Sequence, residues 1–303
     1  MIPDMNKLFK FLMLVVLLQP IATNAQNIED LLSKYTSENG KKYMQPFADA
    51  FAANMNSGLF HHAKLKKLGV QIYFGLESQI AFIPNKNKEF TATTEGDWFP
   101  ETTVNDAPTV FGSTEGRLVE DANSGLIYVF PGGFDMNYVP LAVPQITLGS
   151  VYGTDLTLRY IGTNAIEDFG KIQLIGWGLR HNIDQYFRFP LNLALAYYHQ
   201  SFKAGDILDA KTNLVQIQTS YSVPIVTFYG GLGFEGGKVN LQYIPDESTG
   251  ETEEIKYDMK PGNKVRFTLG VGFNFGPFNL HGDYNISKQS TVAVGLGFGI
   301  GEK

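Results

Sequence analysis

The sequence predicts an all-β protein: a closed antiparallel transmembrane β-barrel of about 10–12 strands, preceded by a short N-terminal helical segment. The first supporting observation is strand-like alternation, which recurs through most of the chain after residue 68. The second is composition, because 13% of the 303 residues are aromatic, 32 are Gly and only 18% are charged. Aromatic side chains fit pleated surfaces and Gly weakens helices.

The third observation is the contrast between the two faces of each strand. The C-terminal segment TVAVGLGFGI (291–300) carries bulky apolar side chains at every second position, and only Thr, Ala and Gly between them. A soluble sheet normally shows polar residues on its wet face. We therefore predict that the bulky face meets lipid and the small face encloses a lumen. A secreted β-sandwich or a soluble β-barrel stays open as the alternative.

The N-terminal residues 1–25 have the layout of a secretory signal peptide. Lys7 and Lys10 precede an apolar run over 11–18, and Ala25 follows as the expected last residue before cleavage. The apolar run is too short to span a bilayer as a helix. The chain has no Cys, so we expect no disulfide and no lipid-anchored N-terminal Cys in the exported protein.

Residues 26–67 are predicted to form a helical hatch or cap. Apolar residues recur there at roughly helical spacing, and Gly40 and Pro46 are expected to divide the segment into two short helices. Such a segment either inserts into the lumen as a plug or seals one end of the barrel.

Residues 68–303 are predicted to form the outer-membrane barrel. Residues 87–131 show four short candidate strands, at 89–95, 107–112, 116–120 and 125–130, and a polar loop at 95–106. The other predicted strands lie at 69–84, 145–160, 170–181, 190–203, 212–223, 225–243, 263–275, 278–286 and 291–300.

The connections and the aromatic residues agree with a barrel in an outer membrane. Short turns at 222–225 and 276–277 alternate with longer polar loops such as 244–262, and outer-membrane barrels have short turns on the periplasmic side and long loops outside. Aromatic side chains near the predicted strand ends suit the two interfacial girdles: Tyr160, Trp177, Tyr221, Tyr243, Phe278 and Tyr284.

Ionisable side chains on the small face are the candidate functional residues. The predicted lumen-lining set is Glu77, Arg159, Arg180, Arg266, His281 and Asp283. These groups either pair across the lumen and stabilise the barrel, or line a polar path through it.

Other chemistry has little support in the sequence. The net charge of −6 argues against nucleic-acid binding, and we expect no cofactor and no metal. His61 and His62 are adjacent, so on a helix they would point about 100° apart. His281, Asp283 and Ser287 would need mutual contact to act as a hydrolase. GxSxG, HExxH and phosphate-loop motifs are absent, and we predict that the protein is not an enzyme.

The segment 144–161 (PQITLGSVYGTDLTLRYI), followed by 176–187 (GWGLRHNIDQYF), resembles a family of uncharacterised Gram-negative outer-membrane β-barrel proteins. The layout is distantly similar to that of FadL-like transporters of hydrophobic compounds, which place an N-terminal helical hatch before an antiparallel barrel. This chain is shorter than a full-length fatty-acid channel, which implies a smaller barrel. It matches no transporter site motif, so the resemblance carries over no ligand-binding residue.

Three functional hypotheses follow for a protein of the Gram-negative outer membrane. The leading one is a passive channel or transporter for small or hydrophobic compounds. The second is a structural or interaction barrel with a filled lumen, and the third is an envelope-lipid hydrolase. The expected partners are membrane lipid, lipopolysaccharide and, for a transporter, a small hydrophobic ligand. The sequence predicts no nucleic-acid partner.

Overall fold

The computed structural model describes residues 37–95, 98–163, 171–243 and 255–301. The signal peptide predicted over 1–25 and the first part of the predicted hatch lie outside these residues. The described residues form one α-helix, α1 (Ser37–Met55), two single-turn 3-10 helices (Asn85–Asn87 and Asp184–Tyr186) and fifteen strands. The strands are β1 (Leu68–Phe82), β2 (Glu89–Thr93), β3 (Thr103–Pro108), β4 (Arg117–Glu120), β5 (Ile127–Phe130), β6 (Tyr138–Val151), β7 (Thr154–Gly162), β8 (Ile172–Asn182), β9 (Asn192–Ala204), β10 (Leu208–Ser222), β11 (Val226–Tyr243), β12 (Ile255–Met259), β13 (Val265–Phe275), β14 (Phe278–Ile286) and β15 (Thr291–Ile300).

Ten of these strands close into an antiparallel barrel, which confirms the predicted fold class. The strand order is β10-β9-β8-β7-β6-β1-β15-β14-β13-β11, and β10 pairs with β11 to complete the ring. The first strand pairs with the last, from Ile72↔Ile300 to Ala81↔Thr291. Strand β12 pairs with the far end of β11, in line with β13. Closure gives the main chain of each barrel strand hydrogen-bonding neighbours on both sides.

Several predicted strand boundaries are wrong. The strand expected at 107–112 ends at Pro108, and β12 (Ile255–Met259) lies inside the expected loop 244–262. Residues 145–160 were expected to form one strand, but the chain reverses at Tyr152 and Gly153, which both have positive φ (48° and 72°). The alternation continues across this tight turn, so the pattern alone does not reveal it. Strand β3 begins at Thr103, inside the expected polar loop 95–106, because its backbone pairs with β2.

The expected break in the N-terminal helix is also wrong. Helix α1 continues through both Gly40 and Pro46. Proline inside a helix costs about 3 kcal/mol relative to Ala. Burial of apolar side chains on both sides of Pro46, including Met44 and Phe51, offsets this cost. Gly40 leaves space for a neighbour, since a Cβ there would meet the Tyr257 hydroxyl oxygen at 2.2 Å.

The barrel has two different ends. The turn end carries the connections 152–153, 183–191, 223–225 and 276–277. The loop end carries the connections 83–137, 163–171, 205–207, 244–264 and 287–290. The turns at 223–225 and 276–277 therefore lie at the end opposite to the long connection 244–264, as the sequence predicted.

The long connection between β1 and β6 forms a cap, residues 83–95 and 98–137, at the loop end. Its hairpins β2–β3 and β4–β5 pack with α1 around one hydrophobic core. The Tyr43 hydroxyl donates to the Gly132 carbonyl (2.9 Å), and the Asn39 amide donates to the Thr93 carbonyl (2.7 Å). Burial raises the pKa of Tyr43 above its ordinary value, so its hydroxyl stays neutral.

The polarity of the barrel wall inverts along its axis. Near the loop end the wall is apolar inside, where Val139, Leu241 and Tyr257 join the core around α1. Its outer face there carries exposed ion pairs, such as Lys238–Asp258 (3.3 Å). Towards the turn end the interior is polar and ionic. The outer face there is a belt of exposed apolar side chains, which includes Phe74, Leu76, Phe228, Leu232, Leu269, Leu280 and Leu296.

Inward-facing glycines make room for large inward side chains on the neighbouring strand. A Cβ on Gly178 would lie 2.1 Å from Tyr198 Cδ1, and a Cβ on Gly270 would lie 2.2 Å from Tyr229 Cζ. The small residues that alternate with the bulky ones are therefore needed for packing inside the lumen, and they do not leave it empty.

The substitution Gly178→Ala should lower the free energy of unfolding by about 1–3 kcal/mol, because the added methyl group overpacks the lumen against Tyr198. Gly236→Ala is the matched control, since a Cβ at Gly236 meets no atom within 4 Å. Urea unfolding in detergent micelles measures both variants. Equal losses for the two substitutions would contradict this packing role.

Candidate functional site

The candidate site is the lumen, which the chain itself occupies. After α1 ends at Met55, residues 56–67 run through the barrel to the turn end, where β1 begins. We call this segment the plug. Its residues 56–63 are all buried, and its hydrogen bonds reach strands around the ring. The plug is not a regular helix or sheet, so its backbone groups need partners from the wall. The prediction of a helical segment over 26–67 is therefore wrong for 56–67.

The plug contacts the wall at four successive positions along its length, which we call levels. Arg266 and Glu235 bind the plug at the first level, next to α1. Arg266 pairs with Glu235 (2.9 Å), and both side chains are almost completely buried. The same guanidinium donates to the Ser57 hydroxyl (2.8 Å) and to the carbonyl of Ala53 (3.0 Å). Glu235 also accepts from the Asn56 amide (2.9 Å). This ion pair therefore connects the end of α1 to β11 and β13.

Arg159 holds the second level. Its guanidinium donates to the carbonyls of Gly58 and Met55 on the N-terminal segment, and its Nε donates to Gln145 on the neighbouring strand (2.8 Å). The next plug residue, Leu59, packs with Ala196, Tyr198 and Leu214 in a small apolar cluster.

The third level is aromatic and ionic. The His61 ring stacks on His281 (4.8 Å between centroids) and lies 4.4 Å from the Tyr73 ring. Glu77 is within hydrogen-bond distance of His281 Nε2 (3.0 Å) and accepts from the Tyr73 hydroxyl (2.9 Å). Asp283 lies on the same face of β14 as His281.

Asp283 accepts hydrogen bonds from two wall side chains. The Tyr229 hydroxyl donates to it at 3.2 Å and the Asn285 amide at 2.5 Å. Tyr229 also packs edge-on against the Phe60 ring of the plug (5.3 Å between centroids). Asp283 therefore contacts the plug indirectly, through the Tyr229 side chain.

Arg180 holds the fourth level. It forms a bidentate pair with Asp155 and donates to the carbonyl of His62 (2.7 Å). Below it, the Ala63 amide donates to the Ser220 hydroxyl (2.9 Å), and the Leu65 carbonyl accepts from Asn182 (2.9 Å). The plug thus has polar contacts with the wall down to the turn end.

All six side chains of the predicted lumen-lining set lie inside the barrel, and all are buried. The structure brings Glu77 and His281 together, and it brings the three arginines to backbone carbonyls of the N-terminal segment. Sequence reasoning missed the acidic partners Glu235 and Asp155. Both could have been found, because Glu235 is in phase with the small face of β11 and Asp155 is in phase with Arg159 on β7.

The contacts of the histidines and of Ser287 bear on the metal and hydrolase hypotheses. Both ring nitrogens of His281 have partners, Glu77 and Asn279, while the Ser287 hydroxyl contacts Glu235 (3.1 Å). Ser287 therefore does not form a triad with His281 in this arrangement. Among the described residues, no group of three or more His, Asp or Glu side chains is placed to hold a metal ion.

A cavity of about 280 Å³ lies where the plug reaches the turn end. Its lining residues are His61, His62, Lys64, Ser222, Val223, Pro224, Thr227 and Asn274. The plug supplies the first three, and the barrel wall supplies the others.

A family model matches residues 5–300, almost the whole chain, and its description is "Family of unknown function (DUF6588)". The chain belongs to this family. No curated protein matches this DUF6588 member significantly in sequence. In the part of the chain that the structure describes, no helix has both the length and the apolar character to cross a membrane.

Several solved structures resemble this DUF6588 member at low identity. OmpT, an outer-membrane protein of Vibrio cholerae, is 12% identical over 77% of this chain and 99% of its own, with a TM-score of 0.27. The toluene transporter TbuX of Ralstonia pickettii is 9% identical over 79% of this chain and 91% of its own, with a TM-score of 0.30. A triple mutant of a Rhodopseudomonas blastica porin is 12% identical over 77% of this chain and 99% of its own, with a TM-score of 0.17.

The substitution Arg266→Met should lower the free energy of unfolding by about 3–5 kcal/mol, because it leaves Glu235 buried without its counter-charge. Arg117→Met is the matched control. Arg117 pairs with Asp106 (3.1 Å), and both side chains are about half exposed, so the expected loss is about 0–1 kcal/mol.

Urea unfolding of both arginine variants in the same detergent provides the measurement. The double variant Arg266→Met/Glu235→Gln should recover part of the loss, since it removes the unpaired carboxylate as well. A loss for Arg266→Met no larger than that for Arg117→Met would contradict the role assigned to this ion pair.

Proposed function

We propose that this DUF6588 member is an outer-membrane β-barrel of a Gram-negative bacterium. In this proposal its lumen is closed by its own N-terminal segment, and it acts as a structural or interaction barrel without enzymatic activity. One observation carries the proposal: the plug residues 56–63 are buried inside the ring of strands. The geometry thus favours the filled-lumen hypothesis over an open passive channel.

The membrane location is supported by the belt on the outer face. Leu296 on β15 is 62% exposed and Phe74 on β1 is 60% exposed, and similar side chains continue around the ring. Monomeric soluble proteins rarely expose so continuous an apolar surface. Lipid acyl chains cover it at no cost, and outside the belt the exposed ion pairs suit lipopolysaccharide head groups and water.

The cap supports an interaction role at the loop end, which faces outward in this proposal. One face of the β4–β5 hairpin exposes Leu118, Ile127 and Val129, while Tyr128 and Phe130 pack into the cap core. An exposed apolar patch on a folded extramembrane unit is typical of a contact surface. A closed barrel would anchor this cap and hold it at the cell surface.

Gated passage of small or hydrophobic compounds is the second candidate. It is favoured by the contacts of the plug, which are largely hydrogen bonds and ion pairs. Water can replace such bonds more readily than it can replace an apolar core. In this alternative, displacement of the plug would open a polar path lined by Glu77, Arg159 and Arg266.

A reversible cross-link separates the two candidates. The hydroxyl oxygens of Ser57 and Thr291 lie 2.6 Å apart, and the chain has no native Cys, so the double variant Ser57→Cys/Thr291→Cys should form a disulfide between plug and wall. For a permanently closed barrel, we expect no solute flux in liposome swelling and no ion conductance in planar bilayers, either oxidised or reduced. Flux that appears on reduction and disappears on oxidation would contradict closure and support gating. The single variant Ser57→Cys is the control for redox effects unrelated to the cross-link.

The belt gives a second prediction, on the membrane location. Leu296→Arg should destabilise the protein in phospholipid vesicles by about 2–4 kcal/mol, because it places a charge among acyl chains. Asn240→Arg is the matched control. Asn240 lies on the outer face near the loop end, opposite Asp209 and Asp258. Its substitution should therefore lower the free energy of unfolding by only about 0–1 kcal/mol. Urea unfolding in vesicles measures both, and equal effects would contradict the assigned depth of the belt.

A further inference from the structure

We propose that the turn-end cavity binds a small carboxylate that has an apolar body, and that it holds this ligand between plug and wall. The cavity has a volume of about 280 Å³. This is just below the usual range for ligand pockets, so the site suits a small molecule and not a lipid.

The polar lining of the cavity favours an anion. His61, His62 and Lys64 bring two imidazoles and an ammonium group from the plug, and the wall adds the side chains of Ser222, Thr227 and Asn274. The three wall groups hydrogen-bond to one another, through Ser222–Thr227 (3.0 Å) and Asn274 to Thr227 (3.2 Å), so the donors of the plug are the main ones for an anion. The lining contains no Asp or Glu. Charge-assisted hydrogen bonds to a carboxylate are about twice as strong as neutral ones.

The carboxylates of the third level already have partners. Glu77 is within hydrogen-bond distance of His281 and accepts from the Tyr73 hydroxyl. Asp283 accepts from Tyr229 and Asn285. Neither carboxylate lines the cavity, so neither takes the place of a bound anion there.

The apolar lining distinguishes an organic carboxylate from an inorganic anion. Val223 and Pro224, in the β10–β11 turn, form the hydrocarbon part of the wall. A compact ring or short alkyl group can cover these side chains while its carboxylate faces Lys64 and the imidazoles. Inorganic phosphate would satisfy the donors but would leave the apolar surface uncovered.

Because the cavity lies between the plug and the wall, ligand binding should affect how firmly the plug is held in the lumen. The plug and the wall each supply part of the lining, so a bound carboxylate bridges them. A ligand that binds one arrangement more tightly stabilises that arrangement. The carboxylate should therefore stabilise the threaded plug. This inference goes beyond the closed-barrel proposal and does not depend on whether the barrel conducts.

Isothermal titration calorimetry on the full chain in detergent micelles tests the site, with sodium benzoate as the probe. Benzyl alcohol is the matched neutral compound, inorganic phosphate is the matched anion without an apolar body, and empty micelles correct for partitioning. We expect saturable benzoate binding, with much weaker binding of the other two. No saturable benzoate binding, or equal affinity for benzyl alcohol or phosphate, would overturn the assignment.

Three variants locate the binding. Lys64→Gln and His62→Asn should each weaken benzoate affinity by about fivefold or more, since each removes a charge-assisted donor. Lys67→Gln is the matched control, because Lys67 is exposed on the same segment but does not line the cavity. If Lys64→Gln leaves the affinity unchanged, or if Lys67→Gln lowers it equally, the proposed site is wrong. Lys64 is exposed, so its variant keeps the test valid even if His62→Asn unfolds.

Discussion

Hydrogen bonds from three buried guanidinium groups to a segment without regular secondary structure are the interaction on which the rest of this structure depends. Residues 56–67 carry main-chain carbonyls into the lumen, and a carbonyl buried without a partner costs about 1–3 kcal/mol. Arg159, Arg180 and Arg266 supply donors for these carbonyls or for those of the adjoining helix end. Asp155 and Glu235 then compensate the charges of Arg180 and Arg266.

The inversion of polarity along the barrel axis follows from what lies on each side of the wall. At the loop end, α1 and the cap bring apolar side chains to the inside, so the wall there resembles that of a soluble barrel with an apolar core. Towards the turn end the plug is polar, and the apolar residues lie on the outer face. Side chains alternate between the two faces of the wall in both regions. The regions differ only in whether the apolar residues point inward or outward. The inward glycines beside Tyr198 and Tyr229 then decide how large a side chain the lumen can accept.

Much of the fold could be predicted, because a repeated two-residue period is a local property of the chain. The strand faces, the position of the turns at 223–225 and 276–277 opposite the connection 244–264, and the inward direction of Glu77 and Asp283 all follow from that period. The turn at Tyr152–Gly153 could not be recognised, since two strands that share one continuous alternation look like a single strand. The continuous helix through Pro46 could not be recognised either, because tertiary burial of its apolar side chains outweighs the local signal.

The sequence by itself determined a barrel with a bulky apolar outside and a sparse, partly charged inside. Only the tertiary structure decided what fills that inside. The contacts that matter join residues far apart in the chain, such as Arg266 and Ser57 with a separation of 209 positions, and Glu77 and His281 with a separation of 204. No periodicity encodes such partners. They are set by ring closure, which brings strands from both ends of the chain around one segment. Buried groups of opposite charge from distant strands become neighbours only in the closed ring.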